Sequence, residues 1–188
     1  MEIFSTFDDQ YQGIYLARFV NSPKYNTPLD YDTEFSKSLD QLQDPFYVRN
    51  LIKSPDSGWK KGDYNNYTLN QLVTLVLDEM GDLLTNLHDI KQASQNANLD
   101  WLLDNFIPLA DSDLLHKPER VKYYTYAFKS LLRLYGVQLG NNAIIITGIS
   151  IKLVKTMQDC KLLQEELYKL DYLKSWLTAQ QITHCEQL

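Results

Sequence analysis

An α+β fold, an antiparallel sheet built from an N-terminal and a C-terminal hairpin with helices inserted between them and a helix after it, is predicted by three features of this 188-residue chain. Short β-rich runs open the sequence, its middle carries apolar residues at helical spacing, and two β-rich runs flanking Gly140-Asn141-Asn142 come before a last leucine-rich helix. At 44% hydrophobic residues the chain can bury one sizeable core, and its length makes a second domain unnecessary. A single domain is therefore expected over 1–188, with a helical insertion over roughly 30–110 and the sheet and final helix over roughly 120–178.

The elements follow in order. "EIFSTF" and "GIYLARFV" are β-rich runs joined by the turn-prone "DDQYQG", which reads as a hairpin. Phe35, Leu39 and Leu42 fall at helical spacing, and Asp44-Pro45 is a helix start, an N-cap acceptor followed by a residue with no N–H to satisfy. That second helix should run over Pro45 to Lys53, and "SPDSGWKKGDYNN" after it is dense in turn residues. Thr68 and Gln71 fit a capping box, ahead of Leu69, Leu72, Val73, Val76, Met80, Leu83, Leu84 and Leu87 on one helical face. "NLDWLLDNFIPL" predicts a short helix stopped near Pro108, while "KYYTYAF" is open between strand and helix.

The hairpin of "LLRLYGVQL" and "AIIITGISIKLV" admits two registers. A two-residue Asn141-Asn142 turn pairs Arg133 with Ser150, gathers Leu132, Leu134, Ile145, Ile149, Ile151 and Leu153 on one face, and leaves Arg133, Tyr135, Ser150 and Lys152 on the other. A three-residue loop mixes polar and apolar side chains on both faces, so the first register is preferred. A helix from Asp159 to about Thr178 then buries Leu163, Leu167, Leu170, Leu173 and Leu177, with Trp176 nearby.

Charge is divided unevenly along the chain. The net charge of −6 and a pI near 5.0 argue against general nucleic-acid or anionic-membrane binding. Yet residues 63–116 hold nine acids against Lys91, whereas residues 117–155 hold seven bases against Glu119. An acidic helix around Asp78, Glu79 and Asp82 packed near the basic hairpin would mask it. Cys160 and Cys185 have no partner motif, no secretory leader pattern precedes them, and no apolar run reaches membrane-spanning length, so a reduced cytoplasmic setting is expected.

Chemistry-bearing motifs are few. His88, His116 and His184 lack metal-ligand spacing, there is no glycine-rich phosphate loop and no cofactor is implied. Asp8-Asp9 and Glu165-Glu166 read as a turn and the solvent face of a helix. The basic segment, with Tyr123, Tyr124, Tyr126, Phe128 and Tyr135, has the residues to hold phosphates and stack bases of single-stranded RNA. Tyr124, Phe128 and Tyr135 read more readily as core or half-buried sheet residues, and Lys152 and Lys155 equally as a solvated strand edge.

Leu132-Arg133-Leu134-Tyr135, Ile146-Thr147-Gly148, Ile151-Lys152-Leu153, Lys155-Thr156-Met157-Gln158 and Glu166-Leu167-Tyr168-Lys169-Leu170 together resemble a group of uncharacterised Bacteroidetes and mobile-element proteins that are similar to the RelE/HigB-like toxins of toxin–antitoxin systems. The pattern spans roughly residues 130–177, with Ile149 where it has a second glycine. The resemblance implies a metal-independent mRNA endoribonuclease, or a degenerate relative of one, in which a ribose 2′-hydroxyl attacks the adjacent phosphate. It implies Arg133 and Lys152 as the phosphate clamp, Tyr135 as the residue positioning or exchanging a proton, and Lys155 at the rim. Its implied partners are RNA or the ribosome and an antitoxin or other protein. A non-catalytic interaction module of a phage or mobile element, using the same sheet, is the alternative.

Overall fold

The computed structural model describes residues 1–5, 13–95, 106–109, 119–124, 130–140 and 143–188. Within them, β1 (Glu2–Ser5) and β2 (Ile14–Arg18) form the expected antiparallel hairpin. The inserted helices α1 (Glu34–Gln43), α2 (Pro45–Lys53) and α3 (Leu69–Gln95) follow. Strands β3 (Phe106–Pro108), β4 (Glu119–Tyr124), β5 (Leu132–Leu139) and β6 (Ala143–Ile151) complete the sheet, and α4 (Lys161–Ala179) closes the fold. The helix starts are those written in the sequence. Asp44 accepts from the Phe46 amide at 2.8 Å, and Gln71 and Thr68 bond reciprocally, the Thr68 amide donating to Gln71 Oε1 at 2.8 Å.

The α+β class stands, and the sheet is larger and more mixed than two hairpins. Its six strands run in the order β1-β2-β6-β5-β4-β3, with β2 and β6 parallel and every other pair antiparallel. The segment "KYYTYAF" begins as strand: β4 ends at Tyr124, and residues 125–129 lie outside the described ones. Phe106–Pro108 is an edge strand where a helix end was expected; residues 96–105 lie outside the description. Proline at the end of a three-residue edge strand removes no ladder bond that the sheet needs.

Helices cover both faces of the sheet, so β6 is buried along its whole length. That explains its sequence, "AIIITGISI", an apolar-rich run interrupted by Thr147 and Ser150, of the kind found in strands with no solvent face. On one face Leu132, Leu134, Ile144, Ile146, Ile149 and Ile151 pack with Leu72, Val76, Met80 and Leu83 of α3 and with Val48 and Ile52 of α2. On the other, Tyr135, Val137, Leu139 and Ile145 pack with Leu163, Leu170, Leu173 and Leu177 of α4.

The register of the final hairpin combines both candidate solutions. Arg133 pairs with Ser150 and Tyr135 with Gly148, as a two-residue turn requires, but Gly136 pairs with Ile146 and Leu139 with Ala143. Thr147 is the extra residue of a β-bulge, and its hydroxyl donates to the Tyr135 carbonyl at 3.3 Å. The bulge flips the faces of the β6 residues nearer the turn, while β5 keeps its alternation. Ile145 therefore packs on the α4 side, not with Leu132 and Leu134 as expected, while Ile149 and Ile151 stay with them.

Gly148 completes the bulge at φ 150°, a conformation side-chain-bearing residues avoid. A Cβ there would lie 3.2 Å from Ser38 Oγ of α1 and 3.4 Å from Glu166 Oε2 of α4. The missing side chain is what lets α1 and α4 converge over this point of β6.

Candidate functional site

Two polar constellations lie on the side of the sheet that α4 covers. The first is a cleft of about 300 Å³ at the β4–β5 side, lined by Arg120, Lys122, Tyr135, Lys152 and Thr156, with Leu109, Met157, Gln158 and Leu167 completing its wall. Strand alternation puts it together: Arg120 and Lys122 stand two apart on β4 and so share a face, and Lys122 pairs with Tyr135 across β5. Lys152 reaches the same space from just beyond the end of β6. Arg120 also bridges to α4, its Nη1 lying 2.8 Å from Asp171 Oδ1, which ties the basic strand to the helix at the cleft's edge.

Of the four residues implied as a catalytic set, Tyr135 and Lys152 line this cleft. Arg133 lies elsewhere. It is 6% exposed, and its Nη1 donates to the carbonyls of Ser130 and Leu132, the latter at 2.8 Å. A guanidinium held at backbone carbonyls inside the fold is a fixed structural charge, so the expected face of Arg133, Tyr135, Ser150 and Lys152 is a largely buried layer, open only at the cleft. Lys155 is exposed in the segment after β6. Sequence reasoning counted Arg120 and Lys122 among the bases without assigning them a role, although the alternation in "ERVKYY" already placed them together.

The acidic α3 does touch the hairpin, but not to mask these cations. Glu79 accepts hydrogen bonds from the Leu131 and Leu132 amides, each at 2.8 Å, and from the Ser130 hydroxyl at 2.9 Å. α3 packs on the opposite face of the sheet from the cleft, and Asp78 and Asp82 are exposed there. Among the described residues, Asp78, Glu79 and Asp82 of α3 thus lie on the opposite side of the sheet from Arg120, Lys122 and Lys152.

The second constellation lies where α1 and α4 meet over Gly148. Lys169 is 1% exposed, with its ammonium 2.9 Å from Glu34 Oε2 and 2.6 Å from Glu166 Oε1. Glu34 Oε1 accepts from the Tyr25 hydroxyl at 2.6 Å, and Lys37, which also donates to that hydroxyl, lies 3.7 Å from Glu34. Burial works to raise the Glu34 carboxyl, but the Lys169 and Lys37 ammoniums and the Tyr25 hydrogen bond outweigh it and hold it below the usual carboxylate range. Glu166 goes the other way: burial pushes it up, and Lys169 only partly offsets this. For Lys169 burial would lower the ammonium, yet the two carboxylates hold it above the ordinary lysine range.

Glu166 is 5% exposed, which corrects the reading of Glu165-Glu166 as a solvated pair; the side chain of Glu165 alone is half in solvent. The sequence held the signal. Leu163, Glu166, Leu170, Leu173 and Leu177 recur at alternating intervals of three and four, so Glu166 occupies a position on the buried stripe itself. Asp8-Asp9 lie outside the described residues.

Among the described residues no group of three His, Cys, Asp or Glu side chains is placed to hold a metal ion, and no helix is long and apolar enough to cross a membrane. Both cysteines are free and buried. No family model matches the chain, and no curated protein or solved structure matches it.

Proposed function

We propose that this protein is an RNA-directed relative of the RelE/HigB-like toxins and that the cleft between β4, β5 and α4 holds the phosphate backbone of a single-stranded RNA. The observation that carries this reading is the convergence of Arg120, Lys122 and Lys152 on one cleft beside Tyr135 in a chain of net charge −6. Cations gathered in a concave site focus the local field and attract a polyanion despite an unfavourable average charge. The cleft's size suits a single nucleotide unit, and Thr156 offers a hydroxyl to a phosphate oxygen.

In this reading the clamp that the resemblance assigns to Arg133 and Lys152 is formed by Lys152 with Lys122 and Arg120. Tyr135 lines the cleft wall with 1% of its surface exposed, and in this reading its phenol is the group that orients the sugar–phosphate or exchanges a proton.

The test is induced expression of the wild-type chain and of a Lys122→Ala/Lys152→Ala variant, with growth and bulk mRNA followed. Growth arrest with mRNA loss in the wild type, absent in the variant, supports an RNA-cleaving toxin. RNA binding by the purified wild type without growth arrest supports a relative that keeps the grip and has lost the cleavage. Absence of both, in a folded protein, removes the RNA reading and leaves a protein-interaction module.

A further inference from the structure

Beneath the Gly148 bulge, α1, α2 and α4 enclose a small cavity of about 70 Å³ lined by Lys37, Ser38, Tyr47, Ser150, Glu165 and Glu166 among others. A single water needs roughly 10–15 Å³ of such space, so the cavity holds a few atoms and excludes a nucleotide. Its polar groups are unevenly satisfied. Both Glu34 oxygens are taken, one by Tyr25 and one by Lys169, and the Ser38 hydroxyl donates to the Glu34 carbonyl at 2.8 Å. Glu166 Oε1 is taken by Lys169, whereas Glu166 Oε2 is buried and has no hydrogen-bond partner. An orphaned acceptor of this kind carries a desolvation cost that only a donor removes.

The charge count points the same way. Around the cavity stand three carboxylates, Glu34, Glu165 and Glu166, against two ammoniums, Lys37 and Lys169. With all three ionised, one negative charge is left over; a proton on Glu166, which burial favours, removes it. A neutral water would meet the hydrogen bond and leave the charge; a small cation with N–H donors meets both.

We infer that this cavity binds one small hydrogen-bond-donating cation, an ammonium ion or the head of a primary amine, with Glu166 Oε2 as its chief acceptor. Glu165 at the rim adds a second carboxylate, and the hydroxyl oxygens of Tyr47 and Ser150 supply further acceptors. The site is separate from the basic cleft and stands whatever that cleft binds.

Occupancy is coupled to a proton. The groups facing Glu166 are Lys169 and Glu165 on its own helix, Glu34 and Lys37 on α1, Tyr47 on α2 and Tyr25 before α1. Lys169 is held in its charged form and Glu34 is held ionised, while burial raises Tyr25 and Tyr47 and keeps them neutral. Of the shifted groups Glu166 is the one whose charge an incoming cation changes. The cation replaces the proton that burial favours there, so binding tightens as pH rises toward the raised Glu166 value and releases a proton.

The experiment is titration calorimetry of the full chain with ammonium chloride and with tetramethylammonium chloride at matched ionic strength, in two buffers of different ionisation heat, on the wild type, Glu166→Gln and Glu165→Gln. Expected are saturable binding of ammonium alone, proton release in the wild type, affinity lower by about tenfold or more in Glu166→Gln, the loss of one charged hydrogen bond, and a smaller loss in Glu165→Gln. No saturable ammonium binding, an equal response to tetramethylammonium, or a folded Glu166→Gln that binds as the wild type does overturns the proposal. Should Glu166→Gln fail to fold, proton release and the Glu165→Gln loss decide: their presence upholds the site, and their absence removes it.

Discussion

Glu79 and Glu166 are two carboxylates on opposite sides of the same sheet, and they are satisfied to different degrees. Glu79 accepts from two strand amides and a hydroxyl, so it fastens α3 to the start of β5 and has the partners a structural anchor needs. Glu166 has one lysine on one oxygen and an orphan on the other, at a point where glycine has cleared the backbone away. The contrast separates charge that holds the fold from charge that is left poised. Among the cations, Arg133 is bound to carbonyls inside the fold, whereas Lys152 lines a cleft.

The comparison is most sharply broken by removing Lys169. Lys169→Met leaves Glu166 buried without its cation and Glu34 with Lys37 alone, and denaturant unfolding should show a loss of about 3–5 kcal/mol. Glu79→Ala strands the buried Leu131 and Leu132 amides, while the Ser130 hydroxyl keeps the Leu132 carbonyl at 2.8 Å, and the same measurement should show about 2–3 kcal/mol.

Next in size is a pH effect on which the carboxylates of the buried cluster differ. Glu166 is raised, so its contribution to stability is present below the unfolded carboxyl value and is lost as pH rises through its folded value. Glu34 is lowered, so its contribution is present above the unfolded value and is lost as pH falls through its folded value. The unfolding free energy of the wild type should therefore decline on both sides of an optimum, by no more than about 1.4 kcal/mol per pH unit for each proton. Glu166→Gln should flatten the higher-pH side and leave the acid side unchanged, as read from denaturant midpoints across pH. Smallest is the expected cost of Lys122→Ala/Lys152→Ala: outside the core, its stability should stay within about 0.5 kcal/mol per site of the wild type, in contrast to Lys169→Met.

How legible this was in the sequence depended on the range of the signal. Local chemistry was plain: the Asp44-Pro45 start, the Thr68–Gln71 capping box and the leucine stripe of the last helix each form as the residues dictate. The parallel pairing of β2 with β6 was not, because those strands lie far apart in sequence; β3 and β4 are sequence neighbours of β5, but Phe106–Pro108 is too short to show a period and "KYYTYAF" fits either one. The Thr147 bulge was hidden because it satisfies one register at each end of the hairpin. At the site, the resemblance implied Tyr135 and Lys152, which line the cleft, together with Arg133, which is buried outside its lining; alternation gives a face without saying whether a helix covers it. Glu166 was overlooked since its neighbour Glu165 suggested a solvated pair, although the spacing of the surrounding leucines put it inside.

The central claim, that Arg120, Lys122 and Lys152 together hold a polyanion, is tested most directly by the salt dependence of binding to a short single-stranded RNA. Three cations on phosphate predict a slope of log affinity against log salt of about −2 for the wild type, falling to about −0.7 in Lys122→Ala/Lys152→Ala with a matching loss of affinity at low salt. The same slope and the same affinity in both proteins would contradict it.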